Sequence, residues 1–155
     1  MLNREHLSDG GWLLTRRQAQ VYFNVPKPGI VVIAASGSGD TVVDEAIFEM
    51  LEDEIKRASP LKIFADLTKL TRVAGQAREK ASAWAKGRSQ HVAATHLLVR
   101  SKLVEMAFSV IGMLVGGHFK FYSNEVEFYS VLRAEVPGLK ARSFRLERSG
   151  FTSPK

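Results

Sequence analysis

Cysteine is absent from the 155 residues. That excludes disulfides, thiolate metal sites and cysteine nucleophiles, and it permits a reducing compartment. Long apolar runs are missing too, since no uncharged stretch approaches the roughly 18 residues that a spanning helix needs. The opening Met1–Gly10 carries charges where a secretory leader would hold its apolar region, so a cytoplasmic protein without a transmembrane segment is expected. Histidine is sparse and scattered, at His6, His91, His96 and His118. His91 and His96 lie on or beside a strand at a spacing that puts them on opposite faces, which does not make a metal pair. There is no Gly-x-Ser-x-Gly elbow, no paired-carboxylate spacing and no phosphate loop. The Gly37-Ser-Gly39 turn has Val42 where a nucleotide fingerprint needs its third glycine, and Asp40 and Asp44 would repel phosphate. A non-enzymatic protein with no cofactor and no metal is the expectation.

Charge is plentiful but segregated. The formal net charge is +6, yet residues 30–71 carry 8 acids against 4 bases, whereas residues 72–102 carry 7 bases and only Glu79 as an acid. The last 23 residues add 6 bases against 2 acids. Such a bipolar chain fits solvated faces and pairing within the chain or between subunits as well as it fits a polyanion footprint. No aromatic and basic interleaving of an RNA-binding sheet is present, so nucleic acid is not an expected partner. A homodimer held by the acidic 44–54 face against the basic 72–102 face is one arrangement that the segregation suggests.

Periodicity gives the elements. Gln18–Val25 and Ile30–Ser36 are strand-like, and Pro26-Lys-Pro-Gly29 between them makes a hairpin turn. Trp12–Arg16 is a candidate further strand behind a Gly10-Gly11 turn. Val42–Ala58 has an apolar stripe at helical spacing and an acidic face of Glu45, Glu49, Glu52, Asp53 and Glu54, with Thr41 and Asp44 as a weak capping box and Ser59-Pro60 as its stop. The pattern continues as strand Leu61–Leu67, helix Gly75–Arg88, strand Val92–Val99, helix Ser101–Val115, strand Phe119–Tyr122 and helix Glu125–Arg133 with an Asn124/Glu127 cap. Ala77, Ala81 and Ala85 are small enough to let their helix lie close to a sheet. Strands alternating with helices require right-handed crossovers, which place helices on a largely parallel sheet. The fold class is therefore α/β: a single mixed sheet, an N-terminal antiparallel hairpin followed by parallel βα units with helices packed on the sheet. Residues 1–17 read as an N-terminal extension or short strand, 18–136 as the domain, and 137–155 as a basic C-terminal tail.

The hairpin, the strand ending Asp66-Leu67-Thr68 and the closing Phe121-Tyr-Ser-Asn-Glu-Val-Glu-Phe-Tyr-Ser-Val-Leu132 make residues 18–134 resemble the STAS family, the anti-sigma-factor-antagonist-like domains of bacterial regulatory proteins. The resemblance implies a signalling domain that works by binding protein. In that family an Asp-Ser-Ser-Gly tetrad follows the Asp-Leu-Ser/Thr strand, and its phosphorylated serine switches partner binding. Here the matching stretch is Arg72-Val-Ala-Gly-Gln-Ala-Arg78, without a hydroxyl at that place. Thr68 and Thr71 are the substitutes within reach, although a threonine at a strand end also serves as packing or a helix cap.

Position supplies the remaining candidates, because ligands in open α/β sheets gather beyond the carboxyl ends of parallel strands. The loops Gly37–Asp40, Thr68–Arg72 and Arg100–Lys102 are expected to meet there. They bring Thr68, Lys69, Thr71, Arg72, Arg100, Ser101 and Lys102 to an interaction or anion-binding edge, with Gly75 and Gln76 beside it. Helix 103–115 is apolar nearly all round, so it should be covered by the sheet and by a second subunit, the N-terminal segment or an amphiphilic ligand. Two functions follow: a regulatory or scaffolding domain acting through protein–protein interaction, or a small-anion or lipid-binding domain whose apolar pocket lies by helix 103–115 and opens near Lys69 and Arg100. Asp66 is the best acid candidate, yet a carboxylate there is placed to bond the amides of the following turn. An enzyme would need it in a deep pocket with a histidine.

Overall fold

In the structure, a computed structural model, residues 1–114 and 118–139 are described. The basic tail expected from 137 onward lies outside the described residues beyond Leu139. Seven strands form one sheet in chain order: β1 (Asn3–His6), β2 (Trp12–Arg16), β3 (Ala19–Lys27), β4 (Ile30–Ser38), β5 (Leu61–Arg72), β6 (Val92–Leu98) and β7 (Phe119–Tyr122). The helices are α1 (Thr41–Ala58), α2 (Ala77–Lys86), α3 (Lys102–Leu114) and α4 (Glu125–Glu135). Neighbours β1 to β4 are antiparallel and β4 to β7 parallel. The expected hairpin is thus the last part of a four-stranded meander. Its first strand, Asn3–His6, is exposed along its whole length and carries no apolar alternation that could have announced it.

The β3–β4 turn closes on Pro28-Gly29, with Lys27 opposite Ile30 and Gly29 at φ 84°, a left-handed value that glycine adopts without steric cost. Glu54 accepts a hydrogen bond from the Gly29 amide at 2.9 Å and is buried, so it belongs to this turn and not to the outer acidic face of α1. Asp40, not Thr41, caps α1, accepting from the Val42 and Val43 amides. Strand β5 runs to Arg72, so Thr68–Arg72 is strand and not the expected loop. Register slips between Ala34/Ser36 and Gly37/Ser38 let β4 stay paired with it that far. Gly37, at φ 82°, packs so tightly on the Gln18 carbonyl that a side chain there would collide with it.

Right-handed crossovers between strands laid down in one direction put their helices on one face. Accordingly α1, α2 and α3 cover one side of the sheet, and α4, which follows the last strand, covers the other. On the α4 side, Tyr22, Ala34, Asp66, Leu98 and Tyr122 are successive cross-strand partners, under Phe128, Tyr129 and Leu132. Phe128 meets Phe64, Tyr122 and Tyr129 edge to face, with centroids 6.0, 5.6 and 5.0 Å apart. Polar groups in this layer are paired, as low dielectric demands. Tyr22 donates to Asp9 at 2.7 Å and accepts from Asn24 at 3.0 Å. His96 bonds the Tyr122 hydroxyl at 2.8 Å and stacks on Phe64.

The segregated charges find each other within the chain. Lys80 of α2 bonds Glu45 of α1 at 2.5 Å, and Arg88 bonds Glu52, which also accepts from the Trp84 indole at 2.9 Å. These two pairs tie α1 to α2 and the turn after it within one chain.

Candidate functional site

Between the sheet and α1–α3 lies a cavity of about 220 Å³. Close-packed interiors rarely leave voids larger than a water molecule, so a hollow of this size asks for a cause. The cause is residue size. The sheet presents Ala19, Ala35 and Ala65 to it, and α2 presents Ala77, Ala81 and Ala85. The small residues of α2 do not draw that helix onto the sheet as expected; α2 packs chiefly against α3 and α1, and its alanines roof the space. Larger walls come from Ile47, Phe48 and Leu51 of α1, Trp84 of α2, and Phe108 and Ile111 of α3. Phe48 and Trp84 stack with centroids 5.3 Å apart, closing the α1–α2 seam.

Few polar groups line this space: Thr95 lies mid-strand on β6, and the others, Ser36 and Ser38 among them, fall at two edges. Asp40 and Asp44 stand where β4 delivers the chain into α1; Ser89 and His118 stand before β6 and β7, at the opposite edge of a parallel sheet. Asp40 is fully engaged. Besides capping α1 it accepts from Arg16 at 2.6 Å. Burial alone would raise its carboxyl, but the Arg16 guanidinium and the Val43 and Val42 amides outweigh that and hold it below the usual range. Asp44 has no such support. Burial first, then the neighbouring charges of Asp40 and Glu45, push its carboxyl up to about 6 against the pull of Lys80. Its side chain has no hydrogen-bond partner among the described residues.

The residues expected at the strand ends lie outside this cavity. Thr68 donates its hydroxyl to Asp66 at 2.7 Å, and Thr71 donates to the Gly37 carbonyl at 3.0 Å. Lys69 and Arg72 are exposed on the extended end of β5, whose Arg72 carbonyl accepts from Gly39 at 2.8 Å. Gly75 and Gln76 are exposed just before α2. Ser101 accepts from the Val104 amide at 3.3 Å at the start of α3, Lys102 pairs with Glu105 at 3.5 Å, and Arg100 is exposed. Because Leu98 pairs with Asp66, Arg100–Lys102 sit level with Thr68, while Lys69–Arg72 project further along β5. Thus Gly37 and Ser38 pair with Leu70 and Arg72 as sheet, Gly39 adds a bond to the Arg72 carbonyl, and Arg100–Lys102 stand one strand away.

Asp66 accepts from the Thr68 amide at 3.0 Å, as its position at the turn implied, and from the Tyr129 hydroxyl at 2.5 Å. It faces α4, on the other side of the sheet from the cavity. Helix α3 is covered on one side by the chain itself. Val104 and Ile111 are buried, but Leu103, Met106 and Met113 are 74%, 62% and 78% exposed. Sequence reasoning expected a pocket by helix 103–115 opening near Lys69 and Arg100, not one bordered by Asp40 and Asp44, which it read as repellents of phosphate and, for Asp44, as part of a weak helix cap. The available signal was the alanine content of α2 facing alanines on β4 and β5.

No protein-family model matches the chain, and no curated protein sequence matches it. Solved structures do. A protein of the DUF3478 family with a SpoIIAA-like fold from Shewanella loihica PV-4 superposes with a TM-score of 0.53 at 16% identity, covering 85% of this chain and 92% of that one. The anti-sigma factor antagonist SpoIIAA in its unphosphorylated form superposes with a TM-score of 0.51 at 19% identity, covering 72% of this chain and 95% of that one. The chain therefore has the SpoIIAA-like, STAS-like fold that its sequence resembled. Among the described residues no helix is long and apolar enough to cross a membrane, and no cluster of three or more His, Asp or Glu could hold a metal ion.

Proposed function

We propose that this is a non-enzymatic binding domain that holds an apolar small molecule between its sheet and α1–α3. The cavity of about 220 Å³, walled by alanines and aromatics, carries this reading. An engineered void of roughly 150 Å³ lined by apolar side chains stays dry and takes up benzene, so a larger one suits a longer apolar body. Ligand sites are typically apolar with a few placed polar groups, which describes this space. The pocket lies beside Phe108 and Ile111 of α3 and is bordered by the carboxylates of Asp40 and Asp44, with Lys69 and Arg100 outside it. Native mass spectrometry of protein from its own source tests the reading, because it reports retained ligand and subunit number together. A small-molecule adduct that disappears in Ala35→Leu, which fills the cavity from β4, supports it. Protein that carries no adduct and binds no apolar fluorophore contradicts it.

A second reading is regulation or scaffolding through protein–protein interaction in the cytoplasm, with a protein partner or a second copy of the chain. The exposed stripe Leu103, Met106 and Met113 on α3 and the likeness in fold to an anti-sigma factor antagonist favour it. Such a surface would work without the family's serine switch, since Arg72–Arg78 contains no hydroxyl and the Thr68 and Thr71 hydroxyls are already bonded. An anion or lipid headgroup would instead use Lys69, Arg72, Arg100 and Lys102 on the surface beside Thr68, Thr71, Gly75, Gln76 and Ser101. Leu103→Asp with Met106→Asp tests the surface reading: complex or dimer formation is lost while uptake of an apolar fluorophore is kept.

A further inference from the structure

The cavity has a polarity that the proposed function leaves unassigned, and the following rests on that function. We infer that its ligand is a primary alkylamine, or an amphiphile with such a head, whose ammonium group is held by Asp44 while its chain lies between the sheet and α1–α3. Three observations converge on this class. The walls along the space are hydrocarbon, which requires a chain. Asp44 lines the same space, and its side chain lacks a hydrogen-bond partner among the described residues, so a donor on the ligand would supply what the fold leaves out. Finally, the amides of the first turn of α1, which would otherwise welcome an anion, are taken up by Asp40: its carboxylate accepts from Val42 and Val43, and its carbonyl from Asp44.

An anionic head at this edge would meet two carboxylates. Of the cations nearby, Arg16 is committed to Asp40 at 2.6 Å and Lys80 to Glu45 at 2.5 Å. Neither is left over for a ligand carboxylate. Filling the space with a chain also removes water from Asp44, which raises the cost of its charge unless the ligand brings a positive one. An alcohol can donate a hydrogen bond there but cannot neutralise the charge. The preference should therefore run amine, alcohol, carboxylate.

The test uses the full chain and three matched probes, decylamine, decanol and decanoate, each below its micellar concentration, displacing the neutral fluorophore phenylnaphthylamine. At pH 8, where Asp44 is ionised and the amine protonated, decylamine should bind at least about tenfold tighter than decanol, and decanoate weakest. Asp44→Asn should cost decylamine about tenfold and leave decanol unchanged, while Glu49→Gln, exposed one turn further along α1 and facing Arg4, changes neither. Lowering the pH to 5 protonates Asp44 in the wild type, with Asp40 still held by Arg16 and Lys80 lying against Glu45, and should erase the amine's advantage without any substitution. That arm stands even if Asp44→Asn fails to fold. Equal affinities for the three probes at both pH values, or a preference for decanoate, overturn the inference and leave the apolar cavity standing. Failure of the fluorophore and every probe to bind overturns both.

Discussion

The two faces of one sheet are built to different rules. Under α4 the sheet carries Tyr22, Phe64 and Tyr122, interlocked with Phe128 and Tyr129, and each buried polar group there has its partner. Under α1–α3 it sets Ala19, Ala35 and Ala65 among branched residues such as Val21, Ile33 and Ile63, and a hollow of about 220 Å³ remains. Adjacent residues of β4 show the contrast at its sharpest: Ala34 points into the filled layer and Ala35 into the hollow one. Alanine is thus a spacer under large rings on one face and a missing wall on the other. The lesson is that a filled layer and a hollow one sit on opposite sides of a single sheet, so that one can be altered without the other.

Breaking the filled face should have the largest effect. Phe128→Ala removes a ring that touches three others and should cost about 3–5 kcal/mol in urea unfolding. Phe108→Ala, at the half-buried wall of the cavity, should cost only about 1–2 kcal/mol, since fewer atoms surround that ring. Equal losses would erase the distinction between the faces.

Asp44 gives the hollow face its own signature in pH. A carboxyl whose folded value is raised from 3.8 to about 6 favours folding at pH below 3.8, and that contribution is lost as pH climbs through 6. Above pH 7 the ionised group therefore costs the fold on the order of 3 kcal/mol. Asp44→Asn should be more stable than wild type by about that amount at pH 8 and no more stable near pH 3.5. Thermal melts across that range check it, and a difference independent of pH would contradict it.

Tyr129→Phe sharpens the other side, because it leaves one oxygen of the buried Asp66 without its donor. A loss of about 1–2 kcal/mol is expected, with the cavity's uptake of fluorophore untouched. The smallest effect belongs to His96. Burial foremost, then Lys120, lowers its pKa below 6.5. It therefore favours folding above pH 6.5 and loses that contribution as pH falls toward its folded value, a modest acid weakening that His96→Gln should flatten.

Much of this architecture is legible in the chain. Strand β7 matches its expected bounds, α1 begins within a residue of where its periodicity placed it, and the Asn124 cap of α4 is present, because each rests on a local pattern. Strand β1 and the end of β5 were not legible: the first has no apolar alternation, and the second is held as strand by β4 through register slips that no local sequence encodes. The cavity is harder still to read. Ala81 and Ala85 predict a close approach to the sheet when α2 is considered alone; that α2 leans on α3 and α1 instead is a property of three helices together. Glu54 on a helix otherwise acidic at its surface shows the same limit, since its partner is an amide 25 positions away.

One comparison tests the division of labour most directly: the urea unfolding free energies of Ala34→Leu and Ala35→Leu, the same enlargement made at neighbouring positions of one strand. Leucine at 34 has no room beneath the aromatic layer and should cost about 1–3 kcal/mol. At 35 it enters existing space, so the variant should match or exceed the wild type to within about 0.5 kcal/mol. A loss at Ala35→Leu as large as that at Ala34→Leu would mean that the second face is as full as the first, and would contradict the account.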